Sequence, residues 1–311
     1  MLIDAAVADQ LRMRAPSARI VCLGLSALDV VWRVDSLFGG GSEKIRAGAH
    51  ATLGGGMAAT AAVAVARLGA KAAFWGRGGE DAAGEQMRAE LATEGVEVKK
   101  FRLFPGGQSS VSGVIVGADG ERQIVNFRGS FPEAADWLPL DEIARTSAVL
   151  ADPSWVAGAS ALFTAARAAN VPTILDADVA EPDVFDALLP LTDHAVFSTP
   201  ALERFQPMPI GAALAKIASY GCRVAAVTRG AEGVSWREEG AAHEMRAQTV
   251  DAIDTTGAGD VFHGAYALAI GIGLNTSDAI AFAAGAAAIK CTRAGARAGI
   301  PSLADCLALR G

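Results

Sequence analysis

The chain has 311 residues, 51% hydrophobic and 20% charged, with a formal net charge of −7. That length buries a large core, the acidic balance without a basic stripe argues against a nucleic-acid partner, and no apolar run is long enough to span a membrane. Residues 1–19 carry Asp4 and Asp9 and no apolar core segment, so they do not read as a signal peptide, and the scattered Cys22, Cys222, Cys291 and Cys306 read as reduced structural thiols of a cytoplasmic protein.

Residues 1–16 read as a partly ordered N-terminal extension. The short apolar run 20–24 predicts a buried strand ending at Gly24. Asp29 follows five residues later, then an alternating run, 30–34. Residues 38–42 form a glycine-rich turn, and 44–53 read as irregular or strand. Gly54-Gly55-Gly56 opens a predicted helix, 58–68, closed by Gly69. Glycines before a helix start offer N–H donors to polar ligand groups. A strand over 72–75 leads through a Gly78–Gly84 turn into a helix over 84–94, with Asp81 at its start. Strand returns over 96–103.

Runs 111–116 and 123–127 flank Asp119-Gly120, a strong hairpin signal. Period two puts Ile124, Asn126 and Arg128 on one face. On residue type alone Arg128 is equally a solvated edge-strand charge. From Trp137 onward short apolar runs (148–151, 173–175, 194–198, 223–228) alternate with helical ones (157–169, 182–189, 210–220). The pattern predicts an α/β fold, an open doubly wound and mainly parallel sheet. Ligands of such sheets sit beyond the carboxyl ends of the strands.

The most informative run is Asp254-Thr255-Thr256-Gly257-Ala258-Gly259-Asp260, just before a helical stretch over 261–272. Gly257 and Gly259 permit positive φ and close approach of a ligand to the main chain. The amides of Ala258, Gly259 and Asp260 would be open donors at a helix start, suited to phosphate. A carboxylate in the same turn repels phosphate unless it takes a proton from an attacking hydroxyl. Anion hole and base together make half of a phosphoryl-transfer site. The bland alternative is a glycine-rich loop with a capping Asp. No histidine or cysteine spacing suggests zinc, and Gly24 is not followed by the glycines of a dinucleotide fold.

The D-T-T-G-A-G-D run resembles the signature of the ribokinase (PfkB-type) carbohydrate kinases, and the likeness extends over about 20–301. It implies a ribokinase-like core (17–29, 53–106 and 131–311) with a small β lid (30–52 and 107–130). It implies an ATP-dependent kinase acting on a primary sugar hydroxyl, with Mg²⁺. Asp260 would be the base, with Gly257, Ala258 and Gly259 beside it in the anion hole. Asp29, Gly55, Gly56 and Thr60 would bind sugar, joined from the lid by Asn126 and Arg128. Thr228, Gly230 and Gly233 would border the nucleotide, with Ala284 and Gly285 of an alanine-rich helix (277–290) beside the adenine. Asp254, Thr256 and Gly295 would hold K⁺. The resemblance also implies a homodimer through the lid.

Two departures stand out. Met57 and Thr60 occupy positions where that family usually shows Asn (or Lys) and Asn. Ser198 and Ala201 stand where it shows N-x-x-E, a motif tied to magnesium, with Glu203 close by. Residues 54–62, 260–265, 290–293 and 299–301 are most similar to the sulfofructose kinases, which phosphorylate 6-deoxy-6-sulfofructose at C1. Asn126 matches their sulfonate-side Asn, but Ser154 stands where an Arg is expected, and Arg128 would supply the cation. Asn126 to Ser130 also resembles a carboxylate-binding region of 2-keto-3-deoxygluconate kinases. Fructose or ribose is the neutral alternative. A non-catalytic sensor on the same fold is supported only by the altered 198–201 motif.

Overall fold

The computed structural model describes residues 4–42 and 44–308; the rest of the expected extension, lid and core (1–3, 43, 309–311) lies outside the described residues. Helix α1 (Ala5–Arg14) is capped by Asp4, whose carboxylate accepts the Val7 amide at 2.8 Å. Val7 and Leu11, one turn apart, are buried in the main core. The extension is thus an ordered helix, held by two apolar side chains too few to mark it in the sequence.

Strand β1 (Arg19–Gly24) leads into β2 (Ala27–Arg33) and β3 (Ala49–Gly55). Then come α2 (Met57–Arg67), β4 (Lys71–Gly79), α3 (Ala82–Thr93) and β5 (Glu97–Phe104). Asp81 caps α3, accepting from the Gly84 amide and from Ser109. The hairpin strands are β6 (Val111–Val116) and β7 (Arg122–Phe127). Alternation follows: β8 (Ala148–Ala151), α4 (Val156–Ala168), β9 (Thr173–Ala177), α5 (Pro182–Leu188), β10 (His194–Ser198), α6 (Thr199–Phe205), α7 (Ile210–Ala218) and β11 (Val224–Thr228). A meander, β12 (Val234–Glu238) and β13 (Ala241–Met245), precedes α8 (Ala258–Gly271), α9 (Thr276–Cys291) and α10 (Leu303–Ala308).

Nine strands form one sheet in the order β13-β12-β11-β10-β9-β8-β1-β4-β5. All its pairs are parallel except β11–β12 and β12–β13. Strand order reverses at β1, which pairs with β4 on one side and β8 on the other. Successive β1 residues face opposite layers. Ile20 and Cys22 join the core of α1, α2, α8 and α9, while Val21 and Leu23 join that of α4, α5 and α7. Both faces are covered, which is why these strands read as unbroken apolar runs.

The second sheet has the order β3-β2-β6-β7. Register aligns Asp29 with Ser112 and Ser112 with Asn126, so these share one face with Ile124 and Arg122. Trp32, Gly113, Val125 and Phe127 lie on the other. Arg122 reaches Thr256 beside α8, which identifies its face as the one turned to the cleft.

Candidate active site

Gly257 is the N-cap of α8, at φ +76°, in the left-handed region open to glycine. The helix begins at Ala258, three residues earlier than the pattern predicts. Gly259 is therefore helical and does not use positive φ; a Cβ there would meet nothing within 4 Å. Its value is an open approach to the main chain. The Ala258 amide turns back to the Thr255 carbonyl at 3.1 Å, which corrects its expected place among the open donors. The amides of Gly257, Gly259 and Asp260 carry no partner among the described residues. They are open donors at the positive end of a 14-residue helix, an arrangement suited to an anion.

Asp260, in that first turn, is half-buried. Burial, then the charge of Asp176, pushes its carboxyl well above the ordinary carboxylate range. One turn on, His263 is buried, with Nδ1 2.7 Å from the Gly259 carbonyl and Nε2 3.2 Å from that of Val196. Its Nδ1 also lies 3.4 Å from Asp176 Oδ1. It braces the turn rather than facing a ligand.

From the lid sheet to Asp260 the contacts run in an unbroken line. The Asp29 carboxylate lies over Gly55, where a Cβ would come within 2.4 Å of its Oδ2. The Gly55 carbonyl accepts from Arg297 Nη2 at 2.7 Å, and Arg297 Nε lies 3.4 Å from Thr60 Oγ1. A Cβ at Gly257 would meet Thr60 Cγ2 at 3.6 Å and Asp260 Oδ2 at 3.7 Å. Asp29, Gly55, Thr60, Gly257 and Asp260 are thus brought together, with buried Arg297 beneath them. Gly56 is the N-cap of α2, at φ +93°.

That second helix start is not an open anion hole. Asp152 Oδ2 accepts the Ala58 amide at 3.1 Å and the Leu25 amide at 2.8 Å, and the Ala59 amide bonds the Leu25 carbonyl. An internal carboxylate takes the place the sequence assigned to ligand groups. Asn126 Nδ2 donates to Ser112 Oγ at 3.0 Å. Arg128 lies one residue past β7, exposed and without a polar partner among the described residues. The arginine that crosses the cleft is Arg122, whose Nη1 donates to Thr256 Oγ1 at 2.9 Å.

On the other side of the Gly257 turn is a cavity of about 350 Å³. Thr228, Gly230 and Gly233 line it, with Val234, Val250, Ala258, Gly259 and Phe262. Helix α9 presents Ala284, Ala287, Ala288 and Cys291, one helical stripe. Gly285, expected beside the adenine, is not on that stripe. Ser198 caps α6 through the Ala201 amide and donates to Asp178 Oδ1; Thr199 donates to the Thr228 carbonyl. The altered motif therefore joins neighbouring strands. Glu203 is exposed.

Among the described residues no three His, Cys, Asp or Glu side chains converge on a metal position. Those residues thus form no all-protein cage for Mg²⁺, an ion that ordinarily binds through one or two carboxylates together with substrate phosphates. Nor do Asp254, Thr256 and Gly295 fit a free K⁺, although the fold brings them together. Asp254 Oδ1 accepts the Thr256 amide, Oδ2 accepts the Gly295 amide, and its main-chain carbonyl accepts from Lys290. Burial opposes ionisation of Asp254, but these donors and Lys290 hold its carboxyl below the ordinary value.

Reasoning from sequence missed Asp152, Arg122, Lys290 and Arg297. The last two carried a faint signal, being cations inside alanine- and glycine-rich runs.

The pfkB family carbohydrate kinase signature matches residues 17–303. The ribokinase of Schizosaccharomyces pombe is 30% identical over 305 residues, 92% of this chain and 96% of that protein. The fructokinase of Vibrio alginolyticus is 29% identical over 286 residues, covering 83% and 91%. The structure of Arabidopsis thaliana ribokinase complexed with ribose and ATP matches at TM-score 0.84 and 27% identity, covering 94% of this chain and 97% of that one. A signature match over nearly the whole chain, on this fold and around this turn, shows that the protein belongs to the pfkB family of carbohydrate kinases and is an ATP-dependent sugar kinase.

Proposed function

We propose that the kinase transfers the γ-phosphoryl group of ATP to a primary hydroxyl of a small anionic sugar, with 6-deoxy-6-sulfofructose at C1 as the leading candidate. Asp260 takes the hydroxyl proton as the oxygen attacks phosphorus. The amides of Gly257, Gly259 and Asp260 receive the charge growing on the phosphoryl oxygens. ATP lies in the alanine-lined cavity with its phosphates toward α8, and sugar lies between Asp29 and Asp260. Closure of the lid sheet keeps water from competing with the hydroxyl. Magnesium supplies charge neutralisation on the phosphates when bound with ATP. The buried, unpaired thiols Cys22, Cys222 and Cys306 suit a protein working in the cytoplasm.

The observation that carries the kinase chemistry is the half-buried Asp260 beside three open amides. What supports an anionic sugar is the cleft face of the lid. It holds Arg122 and, by strand parity, Arg128 beyond Asn126. Met57 and Thr60 offer less polar anchoring than a neutral sugar uses. The names of the relatives favour ribose or fructose as the second reading.

ATP consumption on sulfofructose, 2-keto-3-deoxygluconate, fructose and ribose decides between them. Arg128→Ala should lower kcat/KM for the anionic sugar by roughly 2–5 kcal/mol, the cost of truncating one partner of a desolvated charge pair. Activity on a neutral ketose should change little. Equal losses on both, or wild-type preference for fructose or ribose, would return Arg128 to solvent.

We also propose a homodimer through the outer lid face. Trp32, Val125 and Phe127 share that face and are 38%, 73% and 47% exposed. A Cβ at Gly113 would touch both Val125 and Trp32, so the patch is continuous. β7 is an open sheet edge beside it. Light scattering at micromolar concentration should give twice the chain mass, and Val125→Asp should give the monomer. A monomeric wild type rules the dimer out.

A further inference from the structure

Lys290, in the last turn of α9, is fully buried. An ammonium is costly to bury unless it is paired and hydrogen-bonded. Its Nζ donates to the Asp254 main-chain carbonyl at 2.7 Å and lies 3.7 Å from Asp254 Oδ1. Around it the segment is tied to the end of α9 by further bonds. The Cys291 carbonyl accepts the Ile253 and Asp254 amides at 2.7 and 3.1 Å. Asp254 Oδ2 accepts the Gly295 amide at 3.0 Å. From the lid side, Arg122 donates to Thr256 Oγ1, with Nη2 3.9 Å from Asp254 Oδ1.

A monovalent cation ordering this loop would draw on the Asp254 carbonyl and carboxylate, and those oxygens already face an ammonium fixed to the chain. We infer that Lys290 is a built-in replacement for the monovalent cation, a positioning residue that fixes residues 254–257 and makes phosphoryl transfer independent of K⁺. The inference rests on the kinase reading. Its physical content is that Gly257 follows the tethered segment directly, so the place of Asp254 sets where the open amides of Gly257, Gly259 and Asp260 aim. Lysine carries the cation on the protein, at no cost of recruiting one from solution.

The test compares wild type and Lys290→Met in chloride salts of K⁺, Na⁺ and tetramethylammonium at equal ionic strength. Turnover is measured with ATP and the accepted sugar, and thermal unfolding is followed without substrate. Wild type should turn over equally in all three salts and melt without a K⁺-specific shift. Lys290→Met should lose about 10²-fold in kcat in tetramethylammonium, the size expected when a preorganised donor is lost. It should regain most of that in K⁺, with a K⁺-specific rise in Tm. Simple loss of packing would not be restored by one cation over another. Wild-type turnover or melting that rises specifically with K⁺ overturns the inference, as does a variant indifferent to the cation. If no sugar of the panel is phosphorylated, the kinase reading fails, while the wild-type melting comparison still decides the role of Lys290.

Discussion

Asp260→Asn is expected to bind ATP and sugar nearly as the parent does and to lose most of its turnover. The amide keeps the shape of the carboxylate but cannot accept the hydroxyl proton. General-base catalysis is typically worth ~10²–10⁴-fold, and the fall should lie there. Calorimetric titration of ATP and a kcat measurement separate the two effects. A variant that keeps more than about a tenth of wild-type kcat places the base elsewhere.

The pH profile should carry the same signature. Asp260 must be ionised to act, and burial with the charge of Asp176 raises its carboxyl. As pH falls, kcat should therefore drop at a higher pH than an ordinary carboxylate would give. Asp152 and Asp176 are raised by burial in the same region, so the acid limb belongs to the group rather than to one residue. In Asp260→Asn that limb should shift, because one member of the group no longer ionises.

Replacing Arg297 by Met should damage both stability and sugar binding. The guanidinium is buried and bonds the Gly55 carbonyl, Thr60 and Glu90. Its fork cannot be copied by an apolar chain of similar length. Hydrogen bonds to charged groups contribute about 1.5–3 kcal/mol, and a loss of that order should appear in denaturant unfolding. Because the proposed sugar site includes Gly55 and Thr60, KM for sugar should rise while KM for ATP stays near its wild-type value. A variant with unchanged unfolding midpoint and unchanged sugar KM would show that Arg297 is idle. Arg297→Lys should recover only part of either effect.

What the sequence revealed followed from period and from glycine. Runs such as 20–24 and 194–198 read as strands because both sheet faces are covered. The hairpin was legible from Asp119-Gly120, and the open helix start at Gly257 from its glycine turn. Boundaries were less legible where a turn is itself helical: Ala258, Gly259 and Asp260 belong to α8, and loop chemistry hid that. The site was least legible where two distant segments cooperate. Asp152 reads as the end of an apolar strand, and only the sheet order at β1 carries it under α2. Arg122 reads as a hairpin charge until β7 is laid across the cleft. Lys290 reads as a helix-terminal cation, which is ordinarily solvated, until Asp254 is folded over it. Arg128 had the right parity, but nothing in the period said which arginine of the face would touch the signature turn.

Asp152 has one more consequence. It holds Leu25, where the chain enters the lid, and Ala58, just after the chain leaves it. Both ends of the β2–β3 arm are tied to one side chain at the end of β8, so this contact favours a swing of the arm about Asp152. A swinging panel moves least near its pin. Asp29 lies four residues from Leu25, whereas Arg33, at about 3.3 Å per residue, is far out along the arm. With the sugar placed as proposed, tolerance for differently shaped acceptors should therefore be graded along it: strict beside Asp29, and permissive toward Arg33.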